Sequence, residues 1–161
     1  MRELVAETHV TTADLIAPLF VREGITEPAP IISLPGVVQH TRESLRKEVV
    51  ELAGLGVKAV MLFGVPETKD PVGSQSCAAD GIVQLALGDL AAEVGDSVVL
   101  MADLCVDEYT SHGHCGIVGP DGLVDNDATL ALYTAAALAQ ARAGAHVVAP
   151  SGMMRSEEHT S

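Results

Sequence analysis

Tryptophan is absent, and two phenylalanines and two tyrosines supply all the benzenoid and phenolic rings of the 161 residues. Basic residues are scarce as well: 9 Lys and Arg stand against 22 Asp and Glu, for a formal net charge of -13. A phosphate backbone is held by a basic footprint and single strands by stacking on aromatic faces, so this composition argues against a nucleic-acid partner. Long apolar runs are missing too. The most apolar late stretch, Tyr133 to Pro150, is interrupted by Gln140, Arg142 and His146, and no membrane span is expected. The opening Met1-Arg2-Glu3-Leu4-Val5-Ala6-Glu7-Thr8 lacks the continuous apolar segment of a secretory leader, which implies a cytoplasmic setting. Only three cysteines occur; an odd count with two in one loop favours metal or catalytic use over a disulfide framework. What the chain does have is 48% hydrophobic residues, enough for one core, so one domain or part of one is expected.

Four short apolar or β-branched runs bounded by turn residues recur at Leu15 to Val21, Ala59 to Gly64, Val98 to Leu104 and His146 to Pro150, and read as buried parallel strands. Helical patterns lie between them. Thr41 can cap a helix through Leu45, Val49 and Leu52 that ends at Gly54 and Gly56. A second helix is expected from about Ala78 to Val94, and a third from about Ala128 to Ala143, closed by Gly144, with Asp125-Asn126-Asp127 capping its start. Strand, loop and helix in this order imply an α/β fold with right-handed crossovers. Units roughly forty residues apart suit a doubly wound sheet or a (β/α)8 TIM barrel. In either fold, polar residues that follow strands, as in Gly64 to Asp70, Asp103 to Asp127 and Ser151 onward, mark the functional face. About four units are half of a barrel that typically takes about 250 residues. A partial barrel of that size exposes two strand edges and an inner layer, and alone it is expected to be marginal or aggregation-prone.

Chemistry concentrates in Asp103-Leu104-Cys105-Val106-Asp107-Glu108-Tyr109-Thr110-Ser111-His112-Gly113-His114-Cys115-Gly116. Two thiols, two imidazoles and three carboxylates behind an apolar strand read as a metal site. His112 and His114 could ligate in a His-x-His arrangement, or act as loop and supporting groups. Ser111 lacks an assignable base and orienting acid for nucleophilic work, while Tyr109 and Thr110 read as packing and turn residues. Asp103, by itself, could simply end a strand by hydrogen-bonding loop amides. Cys77, in Ser74-Gln75-Ser76-Cys77-Ala78-Ala79, reads as a small buried residue at a helix start. Gly54-Leu55-Gly56-Val57-Lys58-Ala59 matches a loose dinucleotide fingerprint but precedes a strand, the wrong context. Gly73-Ser74 and Gly119-Pro120-Asp121-Gly122 read as turns.

The cysteine loop resembles the metal loop of the porphobilinogen synthase (5-aminolevulinate dehydratase) family. So do Asp14 to Gly24, Ser33-Leu34-Pro35-Gly36-Val37, Leu62-Phe63-Gly64-Val65-Pro66 with Lys69-Asp70, Asp125 to Leu130, and Ala143 to Ser151. In order and spacing these segments look like the first half of that family, from about Glu3 to Met154, so residues 1–154 are expected to form the N-terminal half of its (β/α)8 barrel. The resemblance implies a homo-oligomeric lyase that joins two 5-aminolevulinate molecules, with loss of water, into porphobilinogen for haem and other tetrapyrroles. Much of the N-terminal arm used in family oligomers has no counterpart, which leaves the assembly open.

By position, Cys105 and Cys115 match the first and third cysteine ligands of the family's catalytic zinc, and Asp107 stands at the second. Residues 105 and 107, two apart at a strand end, would share a face, and the loop through Gly113 would return Cys115 to them. Three ligands leave a position open for water or substrate. Two thiolates favour Zn2+, and the carboxylate makes Mg2+ the alternative. Asp103 matches a carboxylate beside the substrate amino group, implying orientation or proton transfer. The two family lysines that hold substrate as Schiff bases lie beyond the matched region. Lys47, Lys58 and Lys69 are the only lysines and match neither, so the chain is expected to be catalytically incomplete as written. Residues 155–161, Arg-Ser-Glu-Glu-His-Thr-Ser, read as a non-matching polar tail. The competing readings are another metal-dependent aldolase or hydrolase barrel and a non-catalytic metal-binding fragment.

Overall fold

The computed structural model describes residues 3–152; the polar segment 155–161 lies outside the described residues. Four strands expected from the sequence stand side by side in parallel: β1 (Ile16–Arg22), β4 (Ala59–Val65), β5 (Val99–Leu104) and β8 (Val147–Pro150). They stand in the order β1-β4-β5-β8. β1 pairs with β4 along its whole length, from Ile16 against Ala59 to Arg22 against Val65. β5 then pairs with β4 from Ala59 against Val99 and with β8 from Met101 against Val147. Three helices connect them: α1 (Arg42–Gly54), α2 (Ile82–Val94) and α3 (Asn126–Ala143).

Four short strands lie outside the runs expected from the sequence, two of them in the main sheet. β2 (Ala29–Pro30) and β3 (Val38–His40) lie outside β1, with β3 parallel to it and β2 antiparallel to β3. Their few residues carry no alternating pattern, and a turn closed by Ile31 N–H to the Val37 carbonyl at 2.9 Å sets their pairing. The edge of β1 expected to be bare is therefore partly covered. A small ribbon of β6 (Ile117–Val118) and β7 (Val124–Asp125) stands apart from the main sheet.

Helix ends follow local chemistry. The Thr41 hydroxyl accepts the Ser44 N–H at 3.0 Å and starts α1, while Asp125 accepts the Ala128 N–H at 3.0 Å and starts α3. Gly144, at φ +112, closes α3 in a conformation that side chains disfavour. The second helix begins at Ile82 rather than Ala78. Turns fill the interval: the Asp70 carboxylate accepts the N–H groups of Val72 and Ser74 and the Ser74 hydroxyl, and further on the Gly81 N–H donates to the Ala78 carbonyl at 3.0 Å while the Gln84 side chain donates to the Ser76 carbonyl at 2.8 Å. Cys77 consequently sits at the end of a turn, half-buried, and not at a helix start.

Alternation in the strands separates two faces. Leu19, Val21, Val60, Leu62, Leu100 and Ala102 are buried against α1 and α2, where Leu45, Val49, Val83, Leu87 and Leu90 complete the main core. The other face carries Phe20 and Phe63, stacked with centroids 5.1 Å apart, along with Met61 and Met101. It also leaves Ile16, Val99 and Val147 39–49% exposed. A second cluster of Leu104, Val106, Tyr133 and Ala136 lies under the carboxyl end of β5.

Gly64 of β4 is required by close approach. A Cβ there would stand 2.4 Å from Val83 Cγ2 and 2.6 Å from the Tyr109 hydroxyl. Gly64→Ala is expected to cost about 1–3 kcal/mol through overpacking, seen as a lowered thermal midpoint; an unchanged midpoint would show that the β4–α2 contact yields freely.

His40 is buried between β3 and α1, with Nδ1 3.2 Å from the Ser44 hydroxyl. Burial lowers its pKa, and the Glu48 charge only partly opposes this. The unfolded chain therefore takes up the proton first as pH falls below about 6.5, the ordinary imidazole value. Stability should decline across that window, and His40→Gln should flatten the decline in urea midpoints measured between pH 7.5 and 5.5. Parallel curves for the two proteins would rule out this contribution.

Candidate metal centre

β5 delivers its carboxyl end to the site. Leu100, Ala102 and Leu104 face the helices, so Met101 and Asp103 point to the opposite side. The strand ends at Leu104, and Cys105 and Asp107 lie just past it, so alternation along a strand does not align them as the sequence suggested. A tight turn does. The N–H groups of Tyr109 and Thr110 both donate to the Val106 carbonyl, at 3.0 and 2.9 Å, folding residues 105–110 back on themselves. The Thr110 hydroxyl then donates to the His114 carbonyl at 2.9 Å and brings the chain home at Cys115.

This loop rests on the one after β4. The Asp70 N–H donates to the Tyr109 carbonyl at 3.3 Å, and the Ser111 N–H donates to the Asp70 carbonyl at 2.9 Å. Tyr109 is buried against Gly64, and Thr110 is buried in the turn, in agreement with the packing and turn roles expected for them. His112 and His114 fold the loop tip. The His114 N–H donates to His112 Nδ1 at 3.1 Å, and the Gly116 N–H donates to His114 Nδ1 at 3.0 Å. Both rings are thus engaged as backbone acceptors, and neither joins the thiol cluster found among the described residues.

That cluster is Cys105, Asp107 and Cys115, whose candidate ligand atoms all lie within 4.8 Å of one another. Two sulfurs on a tetrahedral zinc at about 2.3 Å would be about 3.8 Å apart, so the donor set fits a metal after a small contraction. No cysteine among the described residues is in a disulfide. Burial pushes the Cys105 thiol up to about 12; the side chains of Asp107 and Cys115 add to that shift, and the Asp107 backbone and the Tyr133 hydroxyl oppose it.

Carboxylates crowd the same mouth. Asp103 is held above the usual carboxylate range by burial and by the Asp107 charge, opposed by a hydrogen bond with Ser151. Glu108 rises to about 8, first through burial and then through Asp107 and Asp103, with Lys69 pulling the other way. Glu108 was counted in the sequence only as one acid among three; that it turns inward depends on the Val106 turn, for which the residue pattern gave no sign. Tyr133 was likewise unrecognised. Its hydroxyl, presented by α3, lies 2.7 Å from the Cys115 carbonyl and 3.6 Å from Cys105 Sγ.

Parallel βα units with a thiol and carboxylate cluster past the carboxyl end of a strand are the layout of a barrel-type metalloprotein. Comparison with known proteins then supplies the family. The sequence pattern of Delta-aminolevulinic acid dehydratase matches residues 1–157. The relative from Streptomyces coelicolor is 57% identical over 156 residues, that from Mycobacterium tuberculosis 56%, and in both cases the match covers 96% of this chain and 47% of the relative. A crystal structure of the Toxoplasma gondii delta-aminolevulinic acid dehydratase (porphobilinogen synthase), in complex with the product porphobilinogen, superposes with a TM-score of 0.91 at 39% identity. It is covered over 44% of its length, against 96% of this chain. The chain belongs to the delta-aminolevulinic acid dehydratase family, a family of metal-dependent lyases, and its fold is a partial TIM barrel. It spans about half the length of the curated relatives it matches.

Metal binding by this cluster must displace the Cys105 proton, so affinity for Zn2+ should climb as pH is raised from 6.5 to 8.5. Competition against a chromophoric chelator measures it. Cys105→Ala and Cys115→Ala should each weaken binding by more than the about 10–100-fold typical of losing a supporting group. Equal metal content in both variants and the parent would place the ion elsewhere.

Proposed function

We propose that this chain carries the metal-loop half of a porphobilinogen synthase acting in tetrapyrrole formation, the lyase that condenses two 5-aminolevulinate molecules with loss of water. The observation that carries the reading is the convergence of Cys105, Asp107 and Cys115 beside Asp103 in a chain of this family. Zn2+ is the ion proposed for these three residues because two of the donors are sulfur, with Mg2+ the alternative that a carboxylate ligand permits. When bound, the metal supplies Lewis-acid polarisation and a template for one substrate. Asp103 and Glu108, both with raised pKa values, form with Asp107 an acidic mouth suited to an ammonium group. Asp103 is assigned orientation or proton transfer at that amine.

No lysine of this chain is assigned the Schiff base. Lys47 lies on α1, 2.7 Å from Glu43, Lys58 is exposed just before β4 and Lys69 is exposed after it. The covalent step is proposed to draw its amines from the remainder of a complete barrel. Three free cysteines suit a reducing cytoplasm, no helix among the described residues is long and apolar enough to cross a membrane, and assembly into a homo-oligomer is expected of the complete enzyme.

A split-enzyme assay tests the reading. The 161-residue chain alone should form no porphobilinogen from 5-aminolevulinate. Co-expressed with the complementary half of the Streptomyces coelicolor relative, it should do so, and Cys105→Ala should abolish that gain. Turnover by the chain alone would refute the assignment of the amines elsewhere. Complementation indifferent to Cys105 would refute the metal assignment, and absence of complementation would leave a non-catalytic piece.

A further inference from the structure

Tyr133 touches both cysteines of the metal loop. It projects from α3 into the small cluster with Leu104, Val106 and Ala136 and is 6% exposed. The hydroxyl donates to the Cys115 carbonyl at 2.7 Å, and its oxygen lies 3.6 Å from Cys105 Sγ. One phenolic group thereby joins the residue that leaves β5 to the residue that closes the loop ten positions later. Removing it would leave the Cys115 carbonyl without this donor and the Cys105 sulfur beside an unfilled polar gap.

An independent observation comes from the end of β8. A Cβ placed on Gly152 would stand 1.9 Å from the Tyr133 hydroxyl oxygen, 2.8 Å from Cζ and 3.0 Å from Cε2. The Tyr133 ring therefore occupies the volume that any side chain at position 152 would take. Gly152 follows Ser151, whose N–H donates to the Leu104 carbonyl at 3.3 Å and whose side chain hydrogen-bonds Asp103. Tyr133 is wedged between the two cysteines on one side and the segment that steadies Asp103 on the other.

We propose that Tyr133 is the positioning residue of the metal loop, setting the approach of Cys105 to Cys115 through its hydroxyl, and that Gly152 serves to admit it. The inference rests on Cys105, Asp107 and Cys115 being the metal ligands. It names a supporting group outside that set, of the kind whose loss reduces metal affinity about 10–100-fold. A tyrosine that only filled the core would contribute through its ring, and loss of the oxygen alone would leave the ligands where they are.

Tyr133→Phe keeps the ring and removes the oxygen. Titrating the 161-residue chain with Zn2+ against a chelator, and with Co2+ to follow the near-ultraviolet sulfur-to-metal charge-transfer band, reads the ligand geometry directly. The expected result is affinity lowered about 10–100-fold and a shifted or weakened band, with far-ultraviolet circular dichroism unchanged. Gly152→Ala should weaken binding in the parent yet have no further effect in a Tyr133→Leu background, because the clash is then gone. Parent-like affinity and spectrum for Tyr133→Phe would overturn the proposal, as would an effect of Gly152→Ala that persists without Tyr133. Failure of the underlying metal reading looks different: the parent and Cys105→Ala would then bind alike, and both inferences would fall together.

Discussion

Parallel pairing of β5 between β4 and β8 is the constraint from which the site follows. Parallel strands send all their carboxyl ends to one side of the sheet, so the loops after β4, β5 and β8 must share a small region. Asp70, Cys105 and Ser151 arrive there from three separate stretches of sequence. The helix side of β5 is filled by Leu100, Ala102 and Leu104, which fixes the rotation of the strand and leaves Asp103 no side but the other. Gln140 of α3 reinforces this by donating to the Asp103 carbonyl at 2.8 Å.

Electrostatics explain why the region is chemical and not merely structural. Asp103, Asp107 and Glu108 are gathered where burial and mutual repulsion raise the pKa of the first and third. Nothing in folding rewards such a gathering, since each acid loses hydration and gains a like-charged neighbour. Among the described residues, Lys69 is the one cation that eases Glu108. An arrangement of that kind is eased by cations that come and go, which in the proposed reading are a metal and an amine.

The strands were legible because buried parallel strands are short apolar runs between turns, and each run from Leu15, Ala59, Val98 and His146 became a strand within one residue of its expected start. Caps at Thr41 and Asp125 were legible for the same reason: their side chains act on backbone three residues away. Where the outcome depended on distant partners the pattern was silent. The start of α2 lies later because residues 76–81 are held in turns by the Gln84 side chain and the Ala78 carbonyl, and β3 exists because β1 offers it an edge. The proposed metal ligands are visible as residue types in family order, yet their alignment comes from the Val106 turn rather than from strand alternation. Tyr133 lay in an alanine-rich helix whose sequence gives no hint that one of its side chains reaches two cysteines.

The imidazoles at the loop tip restrict what the site can tolerate. His112 and His114 each spend Nδ1 on a backbone amide two residues ahead, so the bends at 113 and 115 are stitched by the rings themselves. A nearby histidine often substitutes for a missing sulfur donor in engineered or drifting metal sites, but here such a swap through Nδ1 would unpick the bend that delivers Cys115. Each ring keeps only Nε2 for any other use, and that of His112 already lies 3.1 Å from the Pro71 carbonyl.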